Sequence, residues 1–226
     1  MSIATLILGE SGTGKTASLR NLDPSRTLLI QAIRKPLPFK AKGWKPFNKV
    51  ARTGNMLVTD NSVQIERAMK AFTSPVVVID DWQYILANEF MKRSDEKGFE
   101  KFTEIGRHAW DVMRAAAAGP AERRVYVLAH TQSDEFGRTK IKTIGKLLDE
   151  KITVEGIVTI CLRTQVDNAR GDDEKYLFST HNSGLDTVKS PMGMFDEQLI
   201  PNDLAAVDRA ICAYYGIEDN AMAEAA

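Results

Sequence analysis

The chain has 226 residues and 25.1 kDa, the size of about one domain. Its 43% hydrophobic and 27% charged residues are ordinary globular values, which excludes disorder, collagen and coiled coil as whole-chain descriptions. Thirty Lys and Arg balance thirty Asp and Glu, which excludes a globally basic nucleic-acid binder, and Cys161 and Cys212 make no disulfide scaffold.

Residues 4–8 read as a short buried strand, broken by the glycine-rich run 9–14. Residues 15–22 predict a helix that stops before Pro24. Residues 27–30 form a second apolar run of strand length. The character then changes. Between residues 31 and 52 stand Arg34, Lys35, Lys40, Lys42, Lys45, Lys49 and Arg52 with no acid among them. Pro36, Pro38, Pro46, Phe39, Trp44 and Phe47 are interleaved with them, so the segment reads as irregular rather than helical. Residues 56–59 predict a strand and 62–72 a helix. The β-branched run 76–79 ends in Asp80 and Asp81 and suits a parallel strand buried on both faces. Helices are expected over 82–91 and 99–118, the second stopped by Gly119 and Pro120. Residues 125–129 form another apolar strand, ending at His130. Residues 131–150 are polar and basic with a helix expected toward the end. Residues 156–164 and 175–180 then predict two antiparallel strands around the turn-rich stretch 168–173. A last helix starts near Asn202 or Asp203, packs through Leu204, Val207, Ile211 and Tyr214, and meets Gly216 past its end. The expected organisation is one domain over 1–217 and a frayed tail over 218–226. The apolar stretch at residues 3–8 is too short for a signal-peptide core, and no run approaches the ~20 residues of a membrane helix. The reading is a soluble cytoplasmic chain with no membrane partner.

Gly9-Glu10-Ser11-Gly12-Thr13-Gly14-Lys15-Thr16 fits G-x-x-x-x-G-K-[ST] in full, with a strand before it and a helix-compatible segment after it. Glycines let successive backbone N–H groups converge on phosphate oxygens. Lys15 supplies a movable cation to the outer phosphates and the Thr16 hydroxyl suits Mg²⁺. The candidate nucleotide contacts are therefore Gly9, Glu10, Ser11, Gly12, Thr13, Gly14, Lys15, Thr16 and Ala17. The bland alternative is a Gly/Thr turn with an exposed lysine. Asp80, at a strand tip, suits a direct or water-mediated Mg²⁺ contact. Asp81 could polarise the attacking water, although it is one methylene shorter than the glutamate many such enzymes use. Asp60 is a weaker rival. In an additional-strand NTPase the strand 125–129 lies between the phosphate-loop strand and the Asp80 strand, which puts His130 first and Gln132 second as groups touching the γ-phosphate. The stretch 164–167 lacks the lysine of a guanine-reading motif, so a GTPase is set aside.

The phosphate loop, Asp80 with Asp81, and Ala129-His130-Thr131-Gln132 together resemble RecA-like core ATPases. More narrowly, stretches 9–22, 29–39, 78–91, 99–116, 128–132, 142–155, 187–195 and 201–217 resemble the small ATP-binding proteins of tailed phages linked to single-strand-annealing recombination. The runs 142–148 and 189–195 are the more specific of these. The resemblance implies an α/β fold, a three-layer RecA-like P-loop NTPase core with a mostly parallel sheet and a C-terminal antiparallel hairpin. It implies Mg²⁺-dependent ATP hydrolysis, binding to single-stranded DNA, a homo-oligomer, a single-strand annealing protein as partner, and a phage protein in the host cytoplasm. It carries over Lys15 and Thr16 as phosphate and Mg²⁺ contacts, Asp80 as the metal-side acid and His130 as the γ-phosphate sensor. RecA-like enzymes usually have a catalytic glutamate, and no residue here is assigned that part. Two basic segments could follow a nucleic-acid backbone. One is 34–52 with Phe39, Trp44 and Phe47 as stacking rings. The other is Arg138, Lys140, Lys142 and Lys146. Arg163 and Lys189 are candidates to reach a neighbouring subunit's γ-phosphate. A small-molecule kinase and a nucleotide-switched adaptor are the competing readings.

Overall fold

Apolar β-branched runs become the middle of one sheet, because strands covered on both faces leave no room for alternating polar residues. The computed structural model describes residues 1–145, 147–172 and 174–218; Lys146, Asp173 and residues 219–226 of the expected tail lie outside the described residues. Strands β1 (Ile3–Leu8), β2 (Thr27–Gln31), β3 (Met56–Val58), β4 (Val76–Asp80), β5 (Arg124–Ala129) and β8 (Ile160–Val166) run parallel in the order β8-β1-β5-β4-β2-β3. Beyond β8, the strands β9 (Tyr176–Ser179) and β10 (Leu199–Pro201) add on antiparallel. A separate two-stranded hairpin, β6 (Thr131–Ser133) with β7 (Thr139–Ile141), rises directly from the tip of β5.

The two faces of the sheet bury different partners, and the side chains of each strand alternate between them. Leu6, Leu28, Ile30, Val77, Ile79, Val125 and Val127 pack under the helices α1 (Ser62–Ala71), α2 (Gln83–Lys92) and α3 (Glu100–Ala117). Ile7, Leu29, Val78, Tyr126, Leu128 and Leu162 face Leu19, Trp44 and α4 (Leu204–Tyr215). That is the three-layer arrangement expected for an α/β chain. The ends of α4 follow the sequence signals. The Asp203 carboxylate accepts from Ala205 N at 2.9 Å, and Gly216 takes the left-handed conformation at φ 65°.

Four segments differ from the expectations. Thr16–Asn21 is a 3-10 helix rather than an α-helix. Ser18 Oγ donates to Lys15 O at 2.6 Å, and Leu22 is already extended two residues before Pro24, so the turn tightens and ends early. Residues 131–141 form the β6–β7 hairpin, and the expected helix near 150 is a short π-type turn, Leu147–Lys151. Asp134 Oδ1 closes the hairpin by accepting from Phe136 N at 2.9 Å and Arg138 N at 2.8 Å. The strand expected from 156 starts at Ile160, because a 3-10 turn, Val154–Ile157, precedes it. The short strand β10 had no signal of its own: it has three residues and ends in a proline.

At the end of the sheet opposite the strand tips, α4 is fastened to β5 by a buried ion pair. Arg124 Nε and Nη2 donate to the two Asp208 oxygens at 2.9 and 2.8 Å, and the Tyr126 hydroxyl donates to Asp208 as well. Removing one partner would leave the other charge buried and unpaired. Asp208→Ala is expected to cost about 3–5 kcal/mol, read as a lowered urea midpoint at unchanged slope.

Candidate nucleotide-binding site

In a parallel sheet the strand C-termini share one edge, and ligands bind in the crevice outside it. Here β1 pairs with β5 and β5 with β4. The loop after β1, the acids at the tip of β4 and the histidine after β5 therefore arrive side by side.

The loop is wedged between neighbours. Gly9 N donates to Ala129 O at 3.1 Å. A Cβ on Gly9 would lie 1.8 Å from Thr164 Oγ1, so no larger residue fits. Thr164 Oγ1 also meets Thr13 Oγ1 at 2.6 Å and donates to Leu8 O at 3.2 Å, which pins the loop to β8. Gly14 has φ 97°, and a Cβ there would press on Tyr176 and Asn202 at 3.2 Å. The segment after the loop is a six-residue 3-10 helix, so the loop's own N–H groups and Lys15 supply the anion attraction rather than a helix dipole. Lys15 is buried and curls back, donating from Nζ to Gly9 O at 2.8 Å and Glu10 O at 2.9 Å. Burial lowers its pKa, opposed by the nearby Asp81 and Asp80.

Asp80 and Asp81 are both buried, and the peptide between them is cis. Thr16 Oγ1 donates to Asp80 Oδ1 at 3.0 Å. Asp80 Oδ2 and Asp81 Oδ1 are buried without a hydrogen-bond partner. Burial raises the pKa of Asp80, while the Lys35 ammonium, 3.8 Å from Oδ1, pulls it down. A hydroxyl and a carboxylate with a spare oxygen fit Mg²⁺, a hard cation that takes one or two protein oxygens and completes its shell with water and phosphate. His130 Nε2 stands 2.8 Å from Asp81 Oδ2, and its Nδ1 lies 3.5 Å from Lys15 Nζ. The Tyr84 ring stands edge-on to His130, with centroids 6.2 Å apart.

These groups enclose a cavity of ≈ 650 Å³, a usual size for a small-molecule site. Glu10, Ser11, Gly12, Gly14, Lys15, Thr16, Ala17, Asp81 and His130 line it, while Gly9 and Thr13 face the neighbouring hollow with Thr164. Asp80 lies beneath, joined through Thr16. Other candidates fall elsewhere. Gln132 Nε2 donates to Asp149 Oδ1 at 2.6 Å, and Asp60 is held by Asn88 and Lys92. Trp44 is in the core, so its ring is not free to stack on a base, and the half-buried Phe47 packs edge-on against Phe72 at 4.9 Å. Arg163 lies 3.9 Å from Asp186. The cavity also takes residues that the sequence did not assign to it: Lys35, Pro36 and Pro38 from the chain after β2, Tyr84 from α2 and Tyr176 from β9.

No protein-family model matches the chain, and no curated protein matches its sequence. Among solved structures, the KaiC-like protein PH0186 from the hyperthermophilic archaea Pyrococcus horikoshii OT3 aligns over 78% of this chain and 78% of that chain, at 13% identity and a TM-score of 0.43. The fold class rests on the molecule's own topology. A phosphate-type loop follows β1, a strand is inserted between β1 and the acid-tipped β4, and the order β8-β1-β5-β4-β2 continues into two antiparallel strands. This is a three-layer α/β fold with the strand order of the RecA-like, additional-strand kind. Among the described residues no helix is long and apolar enough to cross a membrane.

Asp80→Asn keeps the shape and removes a buried charge. It is expected to raise the melting temperature by about 2–4 °C, equivalent to roughly 1 kcal/mol at this size. Because the folded-state pKa of Asp80 is raised, the ionised carboxylate opposes folding at high pH. The advantage of the variant therefore shrinks as pH falls through that raised pKa and disappears below the ordinary carboxylate range. Calorimetry across a pH series reads both.

Proposed function

We propose that this protein binds ATP with Mg²⁺ and hydrolyses it, and that turnover is coupled to single-stranded DNA in phage-type recombination. The observation that supports the first part is the meeting of Lys15, Thr16, Asp80, Asp81 and His130 at one ≈ 650 Å³ cavity. Thr16 and Asp80 would hold Mg²⁺, which would neutralise charge on the outer phosphates. Lys15 exchanges the Gly9 and Glu10 carbonyls for phosphate oxygens. Asp81 accepts a proton from the attacking water as its oxygen bonds to the γ-phosphorus and the β–γ bridging oxygen departs with ADP. His130 flanks the Asp81 carboxylate through Nε2, 2.8 Å from Oδ2, and faces Lys15 through Nδ1.

The hairpin that leaves His130 supports the second part. Lys142 N donates to His130 O at 2.8 Å, so the far strand of the hairpin is tied to the candidate sensor. Its tip exposes Phe136 between Glu135 and Gly137, with Arg138 next along, while Lys140 on the far strand is paired with Asp149 at 2.9 Å. An exposed ring with an arginine two residues on suits a single strand, whose bases stack and whose phosphates attract a cation. A homo-oligomer and a single-strand annealing protein are the partners we propose on the resemblance alone. A slow, nucleotide-switched adaptor is the second reading. It is favoured by the short Asp81 side chain and by a cavity in which Glu10 is the one glutamate among the described lining residues.

ATP hydrolysis is to be measured with and without single-stranded DNA. DNA is expected to accelerate wild-type turnover, Lys15→Ala to abolish it, and Asp81→Asn to lower it by about 10²-fold. ATP bound without turnover, with or without DNA, would favour the adaptor.

A further inference from the structure

We propose that Lys35 is a second cation for the terminal phosphate, supplied by the same chain and held on Asp80 until Mg²⁺ takes that carboxylate. This rests on the ATP-binding reading and goes beyond the motif residues. The path of the chain after β2 carries the argument. Gln31, the last residue of β2, pairs with Asp80 in the sheet register. Ala32 N then donates to Asp80 O at 2.9 Å, and the buried Gln31 side chain donates from Nε2 to Lys35 O at 3.3 Å. Two hydrogen bonds thus hold the backbone of residues 32–35 against the acid-bearing strand tip. Lys35 is placed, not merely tethered.

Its side chain enters the cavity beside Lys15 and Thr16. Nζ stands 3.8 Å from Asp80 Oδ1, the oxygen that also accepts from Thr16. A divalent cation on Asp80 would repel an ammonium at that distance. The nearest anion for a displaced Lys35 is then the phosphate chain lying on the loop. The strand order fixes which end of that chain it meets. Lys35 comes from β2, on the Asp80 side of β1, whereas Tyr176 comes from β9, on the opposite side. Lys35 is therefore at the metal end, where the outermost phosphate lies.

The test compares dissociation constants for a non-hydrolysable ATP analogue and for ADP, both with Mg²⁺. Lys35→Met, Lys35→Arg and, as control from the same basic segment, the exposed Lys42→Met are measured against wild type. Lys35→Met is expected to weaken the ATP analogue about tenfold and leave ADP within about twofold. Lys35→Arg should keep most of the discrimination, and Lys42→Met all of it. Without nucleotide, Lys35→Met should bind Mn²⁺ more tightly, since a competitor for Asp80 is gone. Equal weakening of both nucleotides would reduce Lys35 to a general field, and no change in either would remove it from the site; each overturns the proposal. Unchanged or weaker Mn²⁺ binding would overturn its holding of Asp80. A wild-type protein that binds neither nucleotide would overturn the ATP reading itself, a result distinct from the others. Melting temperatures of all variants exclude misfolding as the cause, and the half-exposed Lys35 side chain is not expected to shift them.

Discussion

The pairing of β5 with β1 on one side and β4 on the other sets the spacing on which the site depends. Parallel neighbours lie about 4.8 Å apart. One inserted strand therefore puts the acid pair about two strand widths from the phosphate loop, with room for a phosphate chain and a cation between them. Moving β5 elsewhere would bring the loop against the acids or leave His130 without a position. The buried side chains of Leu6, Val127 and Ile79 on one face, and of Ile7, Leu128 and Val78 on the other, keep the three strands in that order.

The same close spacing lets the polar groups of the cavity satisfy one another. Lys15 uses carbonyls of its own loop and Thr16 uses Asp80. Each bond is one that a phosphate, a metal or a water can replace in kind. Ligand binding at such a place exchanges partners more than it adds them, and the net gain per exchange is modest. The uncompensated carboxylate oxygens of Asp80 and Asp81 are where new bonds can be added. This makes the acid pair, rather than the glycine loop, the part of the cavity most in need of a ligand.

The sequence was informative wherever a local pattern and a physical need coincide. The runs that became β1, β2, β4 and β5 are apolar because they are buried on both faces, and the periodicity of α3 follows from its single buried face. Gly9, Lys15 and Thr16 stood out because the loop needs those residues at that spacing. Asp80, Asp81 and His130 stood out because they end apolar runs. Strands β6, β7 and β10 did not, since Thr-Gln-Ser and Thr-Lys-Ile carry no apolar run and Leu-Ile-Pro ends in a proline. Nor did Lys35, Tyr84, Tyr176 or Thr164, whose neighbours in space are distant in the chain. Lys35 lay in a row of cations that looks like solvated surface. A strand ending at Gln31, with its tip on the ligand edge of a parallel sheet, is the signal that could have singled it out. Trp44, read as a base-stacking ring, is apolar cover for the second face of the sheet.

The outer strands of the sheet have a consequence for association. Both β3 and β10 are three residues long. Beside β3, Pro46 bridges to Met56 and covers part of the open side; at the other margin β10 ends in Pro201, which has no N–H to offer. Neither margin is a template for another strand, because short edges interrupted by proline resist edge-to-edge pairing. Among the described residues, both margins therefore resist continuation of the sheet by a second copy of this chain. A contact between copies would fall to side chains on faces and loops, where it could form and release without any strand being unzipped.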